Sequence, residues 1–145
     1  MPTLSQEQIR KILPQEYPFV LIDYVEDYKE GEWLTAVKNI TANEWPFVGR
    51  LKNNDIFPET LLIEAAAQAV IILYSLRDIG GENAKKKYYL GKVKADFFRQ
   101  VLLGENIRFK VISGKLLDTG GYSNVKMMES DECRGEVQVF FSTKG

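Results

Sequence analysis

Glu64 and Gln68 stand four residues apart in an otherwise apolar run, Leu61 to Leu76, so a helix there brings both to one face. A carboxylate in such surroundings is costly unless it is paired or hydrogen-bonded. Two readings follow. Both side chains are satisfied in a polar seam or a subunit interface, or Glu64 is a functional carboxyl at the inner end of a cleft while Gln68 holds a water or a partner backbone. The other residue types narrow the chemistry sharply. There is no histidine in the 145 residues, which excludes any mechanism needing an imidazole base or metal ligand from this chain. The single cysteine, Cys133, excludes an internal disulfide framework and a cysteine-rich zinc site. Without a histidine to activate it, Cys133 reads as a bystander. Glu129, Asp131 and Glu132 lack calcium-loop spacing, and no phosphate loop or nucleotide fingerprint occurs.

Composition bounds the class. A chain of 145 residues is one domain's worth, long enough to bury a core, and the reading is a single domain over residues 1–145. Nineteen Lys and Arg against twenty Asp and Glu leave a net charge of −1, so no global field favours nucleic acid. Lys85-Lys-Lys87 with Lys92, Lys94 and Arg99 forms a local basic stretch, read first as a solvated face. The amino terminus lacks the apolar core of a signal peptide. The run Leu61 to Leu76 is shorter than the roughly 20 residues of a bilayer span. No membrane span is expected, and the cytoplasm is the default compartment.

These side chains need elements to position them. Ser5 followed by Gln8 reads as a capping box for a short helix with Ile9, Ile12 and Leu13 on its apolar face, ended by Pro14. A strand is expected over Phe19 to Val25, a polar turn over Asp27 to Gly31, and a second strand over Glu32 to Ile40. Thr41 to Phe57 reads as a long loop. Pro58 opens a helix to about Leu76, with Glu59 near the positive end of its dipole and Gly80 and Gly81 beyond it. Because that helix is apolar on nearly every face, it must be enclosed. Tyr88 to Val93, Ile107/Phe109/Val111, Val125/Met127 and Val137/Val139/Phe141 are strand cores, with turns at Asp118-Thr-Gly-Gly and Ser130-Asp-Glu-Cys. The expected architecture is α+β: a curved, mostly antiparallel sheet of about six strands wrapped around one long helix, with an edge that a second copy can cover.

Several segments resemble one family. Leu13-Pro-Gln-Glu-Tyr-Pro-Phe-Val-Leu-Ile-Asp23, Lys38-Asn-Ile-Thr-Ala-Asn-Glu44, Phe47-Val-Gly49, Phe57-Pro58 and Leu62-Ile-Glu64-Ala-Ala-Ala-Gln68-Ala are similar to the β-hydroxyacyl-acyl-carrier-protein dehydratases of type II fatty-acid synthesis. Phe97, Arg99, Val101, Gly104 and Glu105 resemble a worn copy of that family's Phe-(Lys/Arg)-Arg-Pro-Val-x-Pro-Gly-Asp segment. The resemblance implies the hotdog fold, dimers or trimers of dimers, and acyl tunnels at the dimer interface. It also implies an acyl thioester carried on a phosphopantetheine arm, an acyl-carrier protein as partner, and no cofactor or metal of the protein's own.

In that family a histidine in a Gly-His-Phe-Pro loop is the base, and a Glu or Asp on the central helix of the other subunit is the acid. A backbone N–H of a Pro-Gly pair at the helix start takes the thioester oxygen. By position the acid is Glu64, while the base position holds Arg50 in Gly49-Arg50-Leu51-Lys52. The helix start reads Pro58-Glu59, and the family's first histidine is Gln15. A guanidinium stays protonated and cannot abstract a proton. Paired with Glu64, it would also make that carboxyl a poorer donor. Gly49, Arg50, Glu59 and Gln68 are therefore expected to bind substrate, and Glu64 to be the retained acid. The first reading is a degenerate dehydratase that binds an acyl thioester or carrier protein, or forms a heteromer with a histidine-bearing homologue. The basic stretch would then dock an acidic carrier. The alternative is an active dehydratase or thioesterase using Glu64 with another base, Glu59 or Asp55. A third is a structural interaction protein with a collapsed tunnel.

Overall fold

Ser5 and Gln8 form the expected box. The Gln8 N–H donates to the Ser5 hydroxyl at 3.3 Å, and the Ser5 N–H donates to the Gln8 side chain at 2.8 Å. This starts α1, Gln6–Ile12, which buries Ile9 and closes on the buried cap residue Leu13. The computed structural model describes residues 3–13, 19–41, 56–76, 87–117 and 119–144. Pro14, Gly80 and Gly81 lie outside them, as does most of the expected loop.

The period-two segments form six strands: β1 (Tyr24–Lys29), β2 (Trp33–Asn39), β3 (Lys87–Phe97), β4 (Asn106–Leu117), β5 (Gly120–Glu129) and β6 (Glu132–Lys144). They make one antiparallel sheet in the order β1-β2-β4-β5-β6-β3. The helix α2, Glu59–Ser75, starts after Pro58 and ends at Leu76. It packs against β2 to β6 and α1. Leu62 and every residue from Ala65 to Tyr74 are buried, as an all-round apolar helix requires. Ala65, Ala66, Ala67 and Ala69 present only methyl groups, leaving bulk to Val, Ile and Leu around them. No helix among the described residues is long and apolar enough to cross a bilayer.

Two boundaries around β1 differ from expectation. The first strand begins at Tyr24 rather than Phe19, and the Phe19 and Leu21 backbones ahead of it bond to a side chain of α2. Asp27 to Lys29, expected as a turn, pair with Thr35, Leu34 and Trp33 after a bulge between Val25 and Asp27. The turn is confined to the next residues, where Gly31 takes a φ of 75°.

The two sheet edges are unlike. β1 is covered in part by Leu4, whose N–H and C=O exchange bonds with Val25 at 3.1 and 2.9 Å. Among the described residues β3 pairs with β6 only, and its neighbouring side chains Tyr89 and Leu90 are 48% and 50% exposed. That leaves 11 residues of strand edge for another chain.

Gly120 opens β5 at a φ of 144°, and a Cβ there would stand 2.3 Å from the Phe141 carbonyl oxygen. Backbone, not a flexible side chain, is in the way. Gly120→Ala is expected to cost roughly 2–3 kcal/mol. Chemical denaturation should show a lower midpoint with an unchanged slope; an unchanged midpoint would contradict the stated contact.

Candidate functional site

The site is built on the amino-terminal half of α2. Pro58 caps the helix with extended backbone (φ −60°, ψ 134°) and no side-chain cap. The first intrahelical bonds run from the Leu61 and Leu62 N–H groups to the Pro58 oxygen, at 3.1 and 3.2 Å. The Glu59 and Thr60 N–H groups precede that ladder at the positive end of the helix. The Glu59 side chain is exposed in the first turn.

Glu64 and Gln68 do share a face. Gln68 is fully buried, and its Oε1 accepts from the Leu21 N–H at 2.8 Å. Its Nε2 donates to the Phe19 oxygen at 2.7 Å and to Glu64 Oε1 at 3.3 Å. The Leu21 N–H fixes which end of the amide is oxygen, so the amide presents N–H, and only N–H, to Glu64. Gln68 thus sits in a seam of satisfied polar groups, and the backbone it holds is this chain's own rather than a partner's.

Glu64 lines a cavity of about 110 Å³ with Ala67 and Ile71 of α2, Tyr88 and Leu90 of β3, and Val139 and Phe141 of β6. Spacings of three and seven residues place these α2 side chains in a row along the helix. Aromatic rings pack beside the cavity: Tyr74 meets Phe141 edge-on at 4.9 Å and Tyr88 at 6.0 Å. The Tyr88 hydroxyl lies 2.7 Å from Ser75 Oγ, and the Tyr74 hydroxyl donates to the Leu117 oxygen at 2.6 Å. The cavity thus combines the Glu64 carboxylate and the Tyr88 ring with aliphatic and aromatic side chains.

Gly49, Arg50, Gln15 and Asp55 lie outside the described residues. Of the basic stretch, Lys85 and Lys86 lie outside as well, Lys92 and Lys94 are exposed on β3, and Arg99 is bonded to Glu132. Cys133 falls in β6 rather than in a turn. Tyr88 and Phe141 of the cavity lining, and the buried Lys38 outside it, were not among the expected site residues. Tyr88 and Phe141 carry no signal beyond strand alternation. Lys38, 2% exposed with its Nζ 5.4 Å from the centre of the Phe57 ring, lies on the inward parity of β2, which a period count would have flagged.

A FabA-like domain model matches residues 13–136, most of the chain. The chain belongs to the FabA-like family. Curated relatives include the 3-hydroxyacyl-[acyl-carrier-protein] dehydratase FabZ of Histophilus somni (strain 2336), 38% identical over 109 residues, covering 74% of this chain and 71% of the relative. The enzyme of the same name from Haemophilus influenzae (strain Rd) is 41% identical over 110 residues, covering 74% and 72%. Among solved structures, the dehydratase heterocomplex ApeI:P from Xenorhabdus doucetiae superposes with a TM-score of 0.81 at 12% identity, covering 94% of this chain and 91% of that one. A mutant thioesterase from Pseudomonas aeruginosa gives 0.69 at 12% identity over 94% and 91%. The fold of this FabA-like chain is therefore the α+β hotdog that the sequence segments implied, a central helix packed on a six-stranded antiparallel sheet.

Gln68→Leu should strand the buried Leu21 N–H, at a cost of about 2 kcal/mol and a fall in Tm of roughly 4–8 °C. Gln68→Glu keeps an acceptor for Leu21 but turns a second carboxylate toward Glu64 and the Phe19 oxygen. Its deficit against the parent should be largest at neutral pH and shrink as the solution is taken below about pH 5. Thermal melts across that range check both, and a pH-independent deficit would contradict the amide orientation.

Proposed function

We propose that this hotdog protein is a β-hydroxyacyl-acyl-carrier-protein dehydratase relative that binds an acyl thioester without turning it over alone, and that supplies the acid half of a site completed by a histidine-bearing homologue. The observation that carries the reading is the absence of histidine from a chain that keeps Glu64 in the wall of a cavity lined mostly by apolar side chains. Dehydration needs the proton on the carbon next to the thioester removed. Arg50, which stands at the family's base position, is permanently protonated. General base catalysis contributes roughly 10²–10⁴-fold, so its loss alone silences turnover.

The other parts of the site suit binding. The N–H groups at the start of α2 can receive the thioester oxygen, with the Glu59 side chain in place of the family's glycine. The cavity beside Glu64 takes the acyl chain. The exposed lysines of β3 suit an acidic carrier protein, and the phosphopantetheine arm belongs to the substrate. The open β3 edge lies next to the cavity through Leu90, which supports assembly of paired subunits in which each cavity borders the partner. That a dehydratase heterocomplex shares the fold supports a heteromeric partner over a second identical copy. A cytoplasmic location and fatty-acid or polyketide-type synthesis go with this reading. A second reading, hydrolysis of the thioester by water activated at Glu64, is favoured by the retained carboxylate.

An assay with β-hydroxyacyl-carrier protein decides between them. Expected are no dehydration by the chain alone, turnover in a mixture with a histidine-bearing homologue, and partial gain in Arg50→His. Dehydration or thioester hydrolysis by the chain alone, abolished by Glu64→Ala, would establish an active enzyme instead. For the assembly, Tyr89→Lys on the β3 edge should weaken subunit association at least about tenfold in sedimentation equilibrium. Unchanged association would place the contact elsewhere.

A further inference from the structure

Residues 98–105, between β3 and β4, form a strap that is bonded in two directions. Toward the site, the Phe57 N–H donates to the Val101 oxygen at 2.8 Å, and Ile56 bridges to Leu102. The Ile40 N–H donates to the Glu105 oxygen at 2.9 Å, and the Gly104 N–H donates to the Ile40 oxygen at 2.8 Å. One short strap therefore holds the residue that follows β2 and the two residues that lead into Pro58 and α2. Away from the site it is fastened to β6 through Arg134. The Arg134 carbonyl accepts from the Phe98 N–H at 2.9 Å. Its Nη1 donates to the Gln100 oxygen at 2.8 Å and to Glu105 Oε1 at 2.7 Å, its Nη2 to Glu105 Oε2, and its Nε to Glu132.

Arg134 is only 8% exposed. A guanidinium buried to this degree is tolerated because a bidentate carboxylate and a carbonyl satisfy it. Glu105 also accepts from the Leu102 N–H at 2.6 Å, so the same carboxylate shapes the strap and anchors it. The hydrogen bonds from Arg134 hold the Glu105 carboxyl below its ordinary range against the opposing effect of burial, with Leu102 N–H and Arg99 adding to them. The charged groups around the pair are Arg99, Glu132 and, 4.0 Å from Nη2, Glu129.

We propose that Arg134 and Glu105 are positioning residues for the candidate site: through the strap they set where the amino end of α2 sits, and with it the N–H groups that receive the acyl oxygen. The part of this that concerns the acyl oxygen rests on the function proposed above; the mechanical part does not. Because the folded-state carboxyl titrates below its ordinary value of 4.5, the pair holds the strap fully above that pH. The hold is lost as the pH falls through the lowered value.

Hydrogen–deuterium exchange on the whole chain, alongside binding of β-hydroxybutyryl-pantetheine, tests the proposal. In Arg134→Met, and more mildly in Glu105→Gln, the Ile40, Phe57 and Gly104 amides should exchange about tenfold faster or more, while Val111 and Val125 in the mid-sheet change less than about threefold. Arg134→Lys, which keeps the charge but not the fork, should fall between. Protection at Ile40 and Phe57, corrected for intrinsic exchange, should fall in the parent as the pH is taken from about 6 to about 3, and fall less in Glu105→Gln. Thioester affinity should weaken in step with exchange at Phe57. Equal acceleration across the sheet, or none at Ile40 and Phe57, would overturn the proposal. A parent that binds no thioester would defeat the functional reading while the exchange pattern still judges the strap.

Discussion

Because α2 carries apolar side chains around nearly its whole circumference, no single flat layer can cover it, and the sheet must curve around it. The covering is not quite complete in the first half of the helix, where Glu64 and Gln68 interrupt the apolar surface. Gln68 is accommodated because the segment ahead of β1 gives it a backbone N–H and a backbone C=O. That segment is thus tied to α2 ahead of the late start of β1. Glu64 is left at the edge of a cavity rather than sealed in the core. The enclosure of one helix thus fixes the sheet's curvature, the entry of the chain into it, and the location of the carboxylate.

Much of this was legible in the residues. The capping box at Ser5, the start of α2 after Pro58 and the positions of β2 through β6 follow from local chemistry and from periods of two and 3.6. The two misplaced boundaries at β1 have separate causes. Phe19 to Val25 has strand composition, but composition cannot reveal that the partner of Leu21 is a glutamine side chain 47 residues away. Asp27 and Lys29 look like turn residues because they are charged, yet on an edge strand charge is compatible with pairing.

The candidate site was legible only in its helical half. A glutamate and a glutamine four apart on an apolar helix announce themselves, whereas Tyr88, Phe141 and Lys38 acquire meaning from the neighbours that the fold brings to them. Arg134 is the sharpest case. In the sequence it is one basic residue after a turn rich in acids; in the fold it holds the connection that grips both Ile40 and Phe57. Ion pairs between residues 29 positions apart leave no periodic trace.

The asymmetry of the sheet's two margins limits how such subunits can accumulate. Leu4 is bonded along β1, whereas among the described residues β3 is paired on its β6 side alone, with one irregularity between Leu90 and Lys92. A strand-to-strand contact through β3 uses up its other side on both participants, so the union closes at two and cannot lengthen into a filament. In the assembly proposed above, any paralogue with a compatible margin would compete for a single berth, and the ratio in which the chains are made would govern which pairs exist.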